Sequence, residues 1–336
     1  MLTHSRETGR IGIMHLKRYW EKSLAKRGGT LPQNAFQEEW TLDTTLLCAL
    51  GMGLEQTIQY LYHQTPDFHE FENWILQLNG GTIVPEKINA FNKLIIEEQS
   101  DSAKHRITST VLDDADLQFW DVHGYIILRN AVAKEDCTAA INAISGFLAI
   151  DINDRSTWYQ PHPARQGIMV QMFQHPALEK NRKAEKIRSA FEQLWGRKDL
   201  WMNTDKVSFN PPECDEWKFP GPRLHWDVSL ELPIPFGLQG LLYLSDTKEN
   251  QGAFTLVPGF HKRIEGWISS LPPGADPRKE DMYALGAQPI AANAGDFIIW
   301  HHALPHGSSA NTAFVPRFVQ YINYAPVDAE VKHKWI

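Results

Sequence analysis

The chain has 336 residues, of which 43% are hydrophobic and 22% charged, a composition typical of a globular protein with one large and one smaller domain. Its formal net charge of -7 argues against a general nucleic-acid binder, which relies on a basic surface. The three cysteines are few and scattered, so neither a disulfide framework nor a zinc ribbon is expected. Since there is no signal-like start and no apolar run of about 18 residues, we expect a cytoplasmic protein without a membrane span.

The first part of the chain, residues 11–98, is predicted to be helical. Apolar residues recur at three- and four-residue steps over residues 43–62, which predicts one amphipathic helix there. A second helix is predicted to begin with Asp67 as N-cap and Glu70 as its capping-box partner. A third is predicted to follow Pro85. These helices need a common core, so they indicate a separate helical domain.

This helical region contains no catalytic constellation. Its histidines are His15, His63 and His69. No other potential metal ligand lies at a suitable spacing from them, so we interpret them as solvent-facing or helix-terminal. The polar, non-periodic residues 97–110 indicate a linker. We therefore predict an accessory helical domain with its linker at residues 1–105 and an enzyme domain at residues 106–336. The accessory domain would serve partner docking, dimerisation or covering of the active-site mouth.

The second domain begins with mixed elements. A short helix capped by Asp113 or Asp114, a strand at 125–128 and helices at 134–148 and 177–195 are predicted. The irregular stretch 151–174 is crowded with aromatic residues and is interpreted as a loop for substrate contact or for packing.

After Gly196 the pattern changes to short apolar strands separated by turn signals, with no helix predicted between them. This pattern predicts a sandwich or jelly roll rather than a parallel α/β sheet. The predicted strands are 200–209, 224–230, 238–244, 253–257, 289–292, 297–300 and 318–324.

The candidate metal ligands lie in this β-rich part. His225 and Asp227 are two residues apart after a Pro-Gly-Pro turn, and such neighbours lie on one side of an extended segment. His306 follows a later apolar strand and would supply a third ligand. Two histidines and one carboxylate are typical of non-haem Fe(II) oxygenases, and leave metal positions open for co-substrate and oxygen.

Arg317 favours His306 as that third ligand over His301 and His302. These two histidines could contact the metal ligands, contact substrate or be mere neighbours of Trp300, and we favour the last. The arginine lies eleven residues after His306, on a predicted strand, and a buried cation there needs an anion. A guanidinium can hold a carboxylate through two parallel hydrogen bonds, which suits the distal carboxylate of 2-oxoglutarate.

Over residues 112–326 the sequence resembles the phytanoyl-CoA dioxygenase-like family of Fe(II)/2-oxoglutarate-dependent oxygenases. The resemblance is carried by five separated pieces in the family's order. They are residues 119–129, 194–196, 225–227, 252–261 and 295–317. Phe260 departs from the family, where serine is frequent before the following histidine.

This resemblance implies a mainly β fold with helices: a double-stranded β-helix core (jelly roll, cupin-like) beside the N-terminal α-helical domain. It also implies the residues that hold the cofactors. They are His225, Asp227 and His306 for Fe(II), Arg317 for 2-oxoglutarate, and Trp226 and Tyr243 close to the co-substrate.

The activity implied is hydroxylation of an unactivated carbon with O2, while 2-oxoglutarate is decarboxylated to succinate and CO2. Related halogenases carry a small residue in place of the carboxylate ligand, so the presence of Asp227 favours hydroxylation. The expected substrate is a small molecule, an amino-acid-derived or natural-product intermediate that is free, CoA-linked or carrier-bound. No nucleic acid or membrane partner is expected, whereas the helical domain could support a homodimer or bind a carrier protein.

Two other functions stay open at this point. One is a non-catalytic binding or scaffold protein on the same fold, and the other is a metal-dependent enzyme that does not use 2-oxoglutarate. The complete ligand set counts against the first, and Arg317 at its interval from His306 counts against the second.

Overall fold

The computed structural model describes residues 2–97 and 110–336, and the chain divides into two compact units. The first, the helical unit, comprises Met1–Arg106, Arg197–Asp205 and Pro326–Ala329. The second, the β-core unit, comprises Ile107–Gly196, Lys206–Ala325 and Glu330–Ile336. The predicted boundary at residue 105 and nearly all of the predicted linker fall on residues 98–109, outside the described residues.

The described residues form ten α-helices and twelve β-strands. The helices are α1 (Leu16–Arg27), α2 (Trp40–Leu50), α3 (Leu54–Gln64), α4 (Phe68–Leu78), α5 (Pro85–Ile96), α6 (Asp114–His123), α7 (Lys134–Leu148), α8 (Pro176–Arg182), α9 (Glu185–Trp195) and α10 (Ile264–Ser270). The strands are β1 (Tyr125–Leu128), β2 (Arg165–Gln166), β3 (Met169–Val170), β4 (Leu200–Met202), β5 (Val207–Asn210), β6 (Leu238–Tyr243), β7 (Phe254–Leu256), β8 (Gln288–Ile290), β9 (Phe297–His301), β10 (His306–Ser308), β11 (Arg317–Tyr321) and β12 (Tyr324–Pro326). Within the described ranges, no helix is long and apolar enough to cross a membrane.

The helical unit has its own core, built from the apolar stripes that the sequence predicts. Buried residues of α2 to α5 pack into one cluster: Leu46, Leu47, Leu50, Leu61, Phe71, Ile75 and Phe91. Each such side chain stabilises the fold by about 1.5–3 kcal/mol when it leaves water. The predicted start of α4 is confirmed, since the Glu70 N–H donates to Asp67 Oδ1 and the Asp67 N–H to Glu70 Oε2, both over 2.8 Å.

The single helix predicted over residues 43–62 is wrong, because the chain forms α2 and α3 instead. Gly51 ends α2 in a left-handed conformation with φ 64°, and Gly53 is extended before α3. Glycine adopts the left-handed conformation without steric cost, which makes it a helix terminator. The apolar periodicity runs across the break because both helices contribute to the same core.

The β-core unit contains two antiparallel sheets. A seven-stranded sheet has the order β1-β9-β6-β11-β5-β3-β2, and a three-stranded sheet has the order β10-β7-β8. Side chains from both sheets meet in one buried cluster, which includes Leu241, Tyr243, Phe254, Leu256, Ile298 and Val319. The predicted jelly-roll core with an N-terminal helical region is thereby confirmed.

Several predicted elements differ in extent. Residues 224–230 are not a strand: His225 alone makes an isolated bridge, to His306. The helix predicted over 177–195 is two helices, α8 and α9, and α10 lies where no helix was expected. The two-residue strands β2 and β3, within the predicted loop, are too short to give a visible alternation pattern.

Candidate active site

The backbone places His225 and His306 side by side. His225 N donates to His306 O over 2.9 Å, and His306 N donates to His225 O over 3.0 Å. Residues paired directly across antiparallel segments project their side chains to the same face. The two imidazole centroids are accordingly 4.9 Å apart, although the residues are far apart in the sequence.

Asp227 completes the cluster. Its Oδ1 lies 3.3 Å from Nε2 of His225, and its Oδ2 lies 3.3 Å from Nε2 of His306. One ligand atom from each of the three residues lies within 4.8 Å of the others. The three predicted metal ligands are therefore brought together in the structure.

The outer nitrogen of each imidazole fixes its tautomer. Nδ1 of His225 lies 2.7 Å from the Arg223 carbonyl oxygen, and Nδ1 of His306 lies 3.0 Å from that of Leu304. A carbonyl can only accept, so each Nδ1 carries a proton, and Nε2 is the nitrogen whose lone pair the neutral imidazole can offer to a metal. Two lone pairs and a carboxylate that converge in this way fit a bound cation, and this ligand set suits Fe(II).

When an imidazole is protonated at Nε2 as well, it forms an ion pair with Asp227. Burial opposes ionisation of Asp227, but the imidazoles of His225 and His306 hold the pKa of its carboxyl far below its usual range. Burial likewise lowers the pKa of His225, yet Asp227 outweighs it and leaves that pKa raised. A charged carboxylate is thus available to a metal at neutral pH.

Gln239 supports Asp227 and was missed by the sequence reasoning. Its Nε2 donates to Asp227 Oδ2 over 2.7 Å, and its Oε1 accepts from Trp300 Nε1 over 3.2 Å. On β6, Gln239 lies on the same face as Leu241 and Tyr243, which belong to the buried cluster between the sheets. The sequence signal that could have identified Gln239 is a polar residue among alternate strand positions that otherwise face the core.

Arg317 opens β11 and is only 1% exposed. Nη1 donates to the Gly252 carbonyl over 2.6 Å, and Nη2 donates to the hydroxyls of Ser208 and Ser308 over 3.2 Å each. Its Nε has no hydrogen-bond partner, and no carboxylate of the described residues forms an ion pair with this guanidinium. Ser308 lies two residues after His306 on β10, so the hydrogen bond from Arg317 to Ser308 connects the arginine to the strand that carries His306.

Tyr243 and Trp226 are both buried outside the ligand cluster. The Tyr243 hydroxyl donates to the Ile290 carbonyl over 2.9 Å and accepts from the Phe254 N–H over 2.8 Å. The Trp226 indole donates to the Ala303 carbonyl over 2.9 Å and packs near Phe260 and Trp267. Proximity of these two residues to a co-substrate stays a prediction.

His301 and His302 are distinct from the ligand cluster. Burial lowers the pKa of His301 to about 3, and its ring lies near Trp120, Phe236 and His261. His302 Nε2 contacts the Pro235 carbonyl oxygen. These contacts agree with the interpretation of both histidines as packing neighbours.

The aromatic-rich loop 151–174 is held by hydrogen bonds rather than extended into solvent. The Tyr159 hydroxyl donates to the Pro212 carbonyl over 3.0 Å, and Arg165 Nη1 donates to the Trp158 carbonyl over 2.7 Å. Pro212 begins the segment that leads to the metal motif. Contact of this loop with substrate stays a prediction.

A second group of potential ligands lies in the helical unit, where His15 was interpreted as solvent-facing or helix-terminal. His15 does precede α1, but it is fully buried, and its Nε2 lies 2.9 Å from Asp43 Oδ1. Lys22 Nζ lies 2.6 Å from Glu39 and 2.7 Å from Asp43. Since Lys22 already supplies the positive charge, this group is a buried ion-pair network, and the solvent-facing alternative is wrong.

A jelly-roll core beside two imidazoles and one carboxylate that could together hold a metal ion is the arrangement expected of a non-haem metalloenzyme. A sequence profile of the family described as Phytanoyl-CoA dioxygenase (PhyH) matches residues 120–319, more than half of the chain. The chain therefore belongs to the phytanoyl-CoA dioxygenase family. It is an Fe(II)/2-oxoglutarate-dependent enzyme, and its co-substrates are 2-oxoglutarate and O2.

Three relatives illustrate the similarity. A Dictyostelium discoideum protein provisionally named phytanoyl-CoA dioxygenase is 24% identical over 261 residues, which cover 62% of this chain and 74% of that protein. The epimerase SnoN, solved with Fe3+, alpha ketoglutarate and nogalamycin RO, is 16% identical with a TM-score of 0.49, over 65% of this chain and 85% of SnoN. HygX from Streptomyces hygroscopicus, solved with nickel and 2-oxoglutarate, is 15% identical with a TM-score of 0.46, over 64% of this chain and 87% of HygX.

Proposed function

We propose that this enzyme hydroxylates an unactivated carbon of a small molecule, an amino-acid-derived or natural-product intermediate, and decarboxylates 2-oxoglutarate to succinate and CO2. The observation that carries the proposal is Arg317, a buried guanidinium with no ion-pair partner among the described residues. A buried charge without a counter-ion is costly, so the site needs an anionic ligand. The distal carboxylate of 2-oxoglutarate is such a ligand.

In this proposal His225, Asp227 and His306 hold the iron. Bound Fe(II), with 2-oxoglutarate and O2, supplies the oxidising power for insertion of one oxygen atom into a substrate C–H bond. The Nδ1 hydrogen bonds to Arg223 and Leu304 keep both imidazoles oriented with Nε2 inward. Asp227 favours hydroxylation because it occupies the position that a halide would need.

The surroundings of Arg317 can bind a carboxylate at several points. The Nε–H is free to donate. The hydroxyls of Ser208 and Ser308 accept from the guanidinium, so each has its own proton to donate to the same anion. Gly252 holds Nη1 and thereby fixes the orientation of the guanidinium.

The chain also protects one side of the site from water. The rings of Trp300 and Phe254 lie 5.0 Å and 5.9 Å from the His306 ring, centroid to centroid, and all three residues are buried. An apolar wall beside a metal ligand limits water access and unwanted side reactions. The Asp227 side chain is half-exposed, so we expect substrate to enter beside Asp227.

The test does not require the substrate. Fe(II) and 2-oxoglutarate are added to anaerobic metal-free protein, and the weak visible charge-transfer band of the chelated pair is recorded. We expect the band in the wild type, a much higher 2-oxoglutarate requirement in Arg317→Ala, and no band in His306→Ala. Metal binding without the band would point to a metal enzyme that does not use 2-oxoglutarate, and absence of metal binding would point to a binding protein.

Hydroxylation is tested separately, by a screen of amino acids, acyl-CoA derivatives and natural-product intermediates. A productive substrate should give equal amounts of succinate and a product heavier by one oxygen atom, measured by mass spectrometry. Succinate formation with an epimerised, cyclised or halogenated product would overturn the hydroxylase assignment.

We further propose a cytoplasmic location and a docking or dimerisation role for the helical unit. The three cysteines are free, as expected in a reducing compartment. Light scattering of the purified protein, alone and with a carrier protein, tests the role of the helical unit. A monomer that binds no carrier would overturn that role.

A further inference from the structure

Arg278 contacts the backbone on both sides of Asp227. Its Nη1 donates to the Trp226 carbonyl over 2.9 Å, and its Nη2 donates to the Val228 carbonyl over 2.6 Å. Those carbonyls belong to the residues on either side of Asp227. One guanidinium therefore spans the residue whose carboxylate lies between the two histidines.

The segment Lys334–Ile336 closes over the same region. The Ile336 carbonyl oxygen accepts from Arg278 Nε over 3.3 Å, from Arg278 Nη2 over 3.0 Å and from Leu230 N over 3.1 Å. The Ser229 hydroxyl donates to the Lys334 carbonyl over 2.5 Å. The Arg278 guanidinium lies 4.6 Å from the centroid of the Trp335 ring.

Hydrogen bonds with Arg278 and the segment Lys334–Ile336, and not β-sheet pairing, hold the backbone of residues 226–230. His225 is bridged to His306, but residues 226–237, which follow it, form no strand. Burial does not fix Asp227 either, because its side chain is 50% exposed, whereas that of His306 is 5% exposed. The position of the carboxylate therefore depends on the hydrogen bonds that hold its backbone and on Gln239.

We propose that Arg278 and the segment Lys334–Ile336 form a clamp that positions Asp227 for metal binding. The proposal rests on the proposed role of Asp227 as an iron ligand and makes Arg278 a positioning residue. The planar guanidinium suits this task because it reaches two carbonyls at a fixed separation while its face packs on Trp335. A lysine at this position would keep the charge but could not span the two carbonyls in the same way.

The experiment measures Fe(II) affinity by anaerobic calorimetry on metal-free protein. The variants are Arg278→Ala, Arg278→Lys and Trp335→Ala, and the matched control is Arg263→Ala. Arg263 also lies over an aromatic ring, Phe260 at 5.2 Å, and donates to a carbonyl, that of Leu285. It has no hydrogen bond to residues 226–230 among the described contacts, so it controls for loss of a surface arginine.

We expect Arg278→Ala to weaken Fe(II) binding about tenfold or more, the range seen when groups that orient metal ligands are removed. Trp335→Ala should weaken it about threefold, and adding it to Arg278→Ala should have little further effect because both act through one clamp. Arg278→Lys should resemble Arg278→Ala, and Arg263→Ala should resemble the wild type. Affinity for 2-oxoglutarate at saturating Fe(II) should change less than it does in Arg317→Ala.

Thermal unfolding of each metal-free variant separates positioning from general stability. Trp335 is 63% exposed, so Trp335→Ala should fold even if Arg278→Ala does not. Wild-type Fe(II) affinity in folded Arg278→Ala, or in folded Trp335→Ala if Arg278→Ala does not fold, would overturn the clamp. Absence of Fe(II) binding in the wild type would instead overturn the proposed function.

Discussion

Gln239 holds the side chain of Asp227, whose backbone the clamp holds: its amide nitrogen donates to Asp227 Oδ2 over 2.7 Å. The amide cannot rotate freely, because its oxygen accepts from the Trp300 indole over 3.2 Å. The nitrogen is therefore directed at the carboxylate by a buried ring. A hydrogen bond to one carboxylate oxygen leaves the other free for a metal and limits the ways in which the carboxylate can turn.

Substitution of Gln239 should weaken the metal site without unfolding the protein. We expect Gln239→Leu to reduce Fe(II) affinity about tenfold, since the carboxylate loses its orienting donor. Gln239→Glu should also reduce it, because an ionised carboxylate has no proton to donate to Asp227. Calorimetric titration checks both, with Gln288→Leu on β8, which is exposed, as control. Unchanged affinity in both variants would show that Gln239 does not orient the carboxylate.

Arg317 should govern affinity for 2-oxoglutarate rather than for the metal. A hydrogen bond to a charged group contributes about 1.5–3 kcal/mol, so Arg317→Ala should raise KM for 2-oxoglutarate by roughly 10- to 100-fold. Fe(II) affinity should change little. Ser308→Ala should give a smaller rise, since one hydroxyl donor is lost. Succinate formation at varied 2-oxoglutarate measures both. A KM unchanged in Arg317→Ala would remove this residue from the co-substrate site.

Tyr243 should contribute more to stability than to co-substrate binding. Its hydroxyl proton is already donated to Ile290, so it has none left for a carboxylate. Tyr243→Phe leaves the Phe254 N–H and the Ile290 carbonyl without this partner and should lower the free energy of unfolding by about 1–3 kcal/mol. Urea unfolding measures this loss. A tenfold rise in KM for 2-oxoglutarate in a variant of unchanged stability would contradict the expectation.

His301 should make the protein sensitive to acid. Burial and the neighbouring His302 and His261 lower its pKa to about 3, whereas a histidine in an unfolded chain has a pKa of about 6.5. The unfolded state therefore binds a proton that the folded state excludes as pH falls below about 6.5, and stability declines by up to about 1.4 kcal/mol per pH unit. The His301→Phe variant should lose about 2 kcal/mol less stability than the wild type between pH 7 and pH 5.

Urea unfolding at the two pH values measures this difference, with His333→Gln, an exposed histidine, as control. Parallel losses of stability in His301→Phe and the wild type would show that His301 does not carry the acid sensitivity.

Local sequence signals predicted the features that neighbouring residues determine by themselves. Asp67 with Glu70 predicted the start of α4, because a capping box is complete within four residues. His225 and Asp227 could be paired from their i, i+2 spacing, which sets a common side for their side chains. The short strands after residue 196 predicted a jelly roll, because alternating side chains and turn residues can be recognised in the local sequence without knowing which strands pair.

Tertiary structure alone decided which distant residues support the site. Gln239 reaches Asp227 from β6, Ser208 reaches Arg317 from β5, and Arg278 reaches the backbone around Asp227 from a short 3-10 helix, Pro277–Lys279. His15 likewise finds Asp43 only when the helices pack. Each of these contacts joins residues between 12 and 109 positions apart. No local propensity encodes such pairs, because their geometry exists only after the sheets and helices have packed.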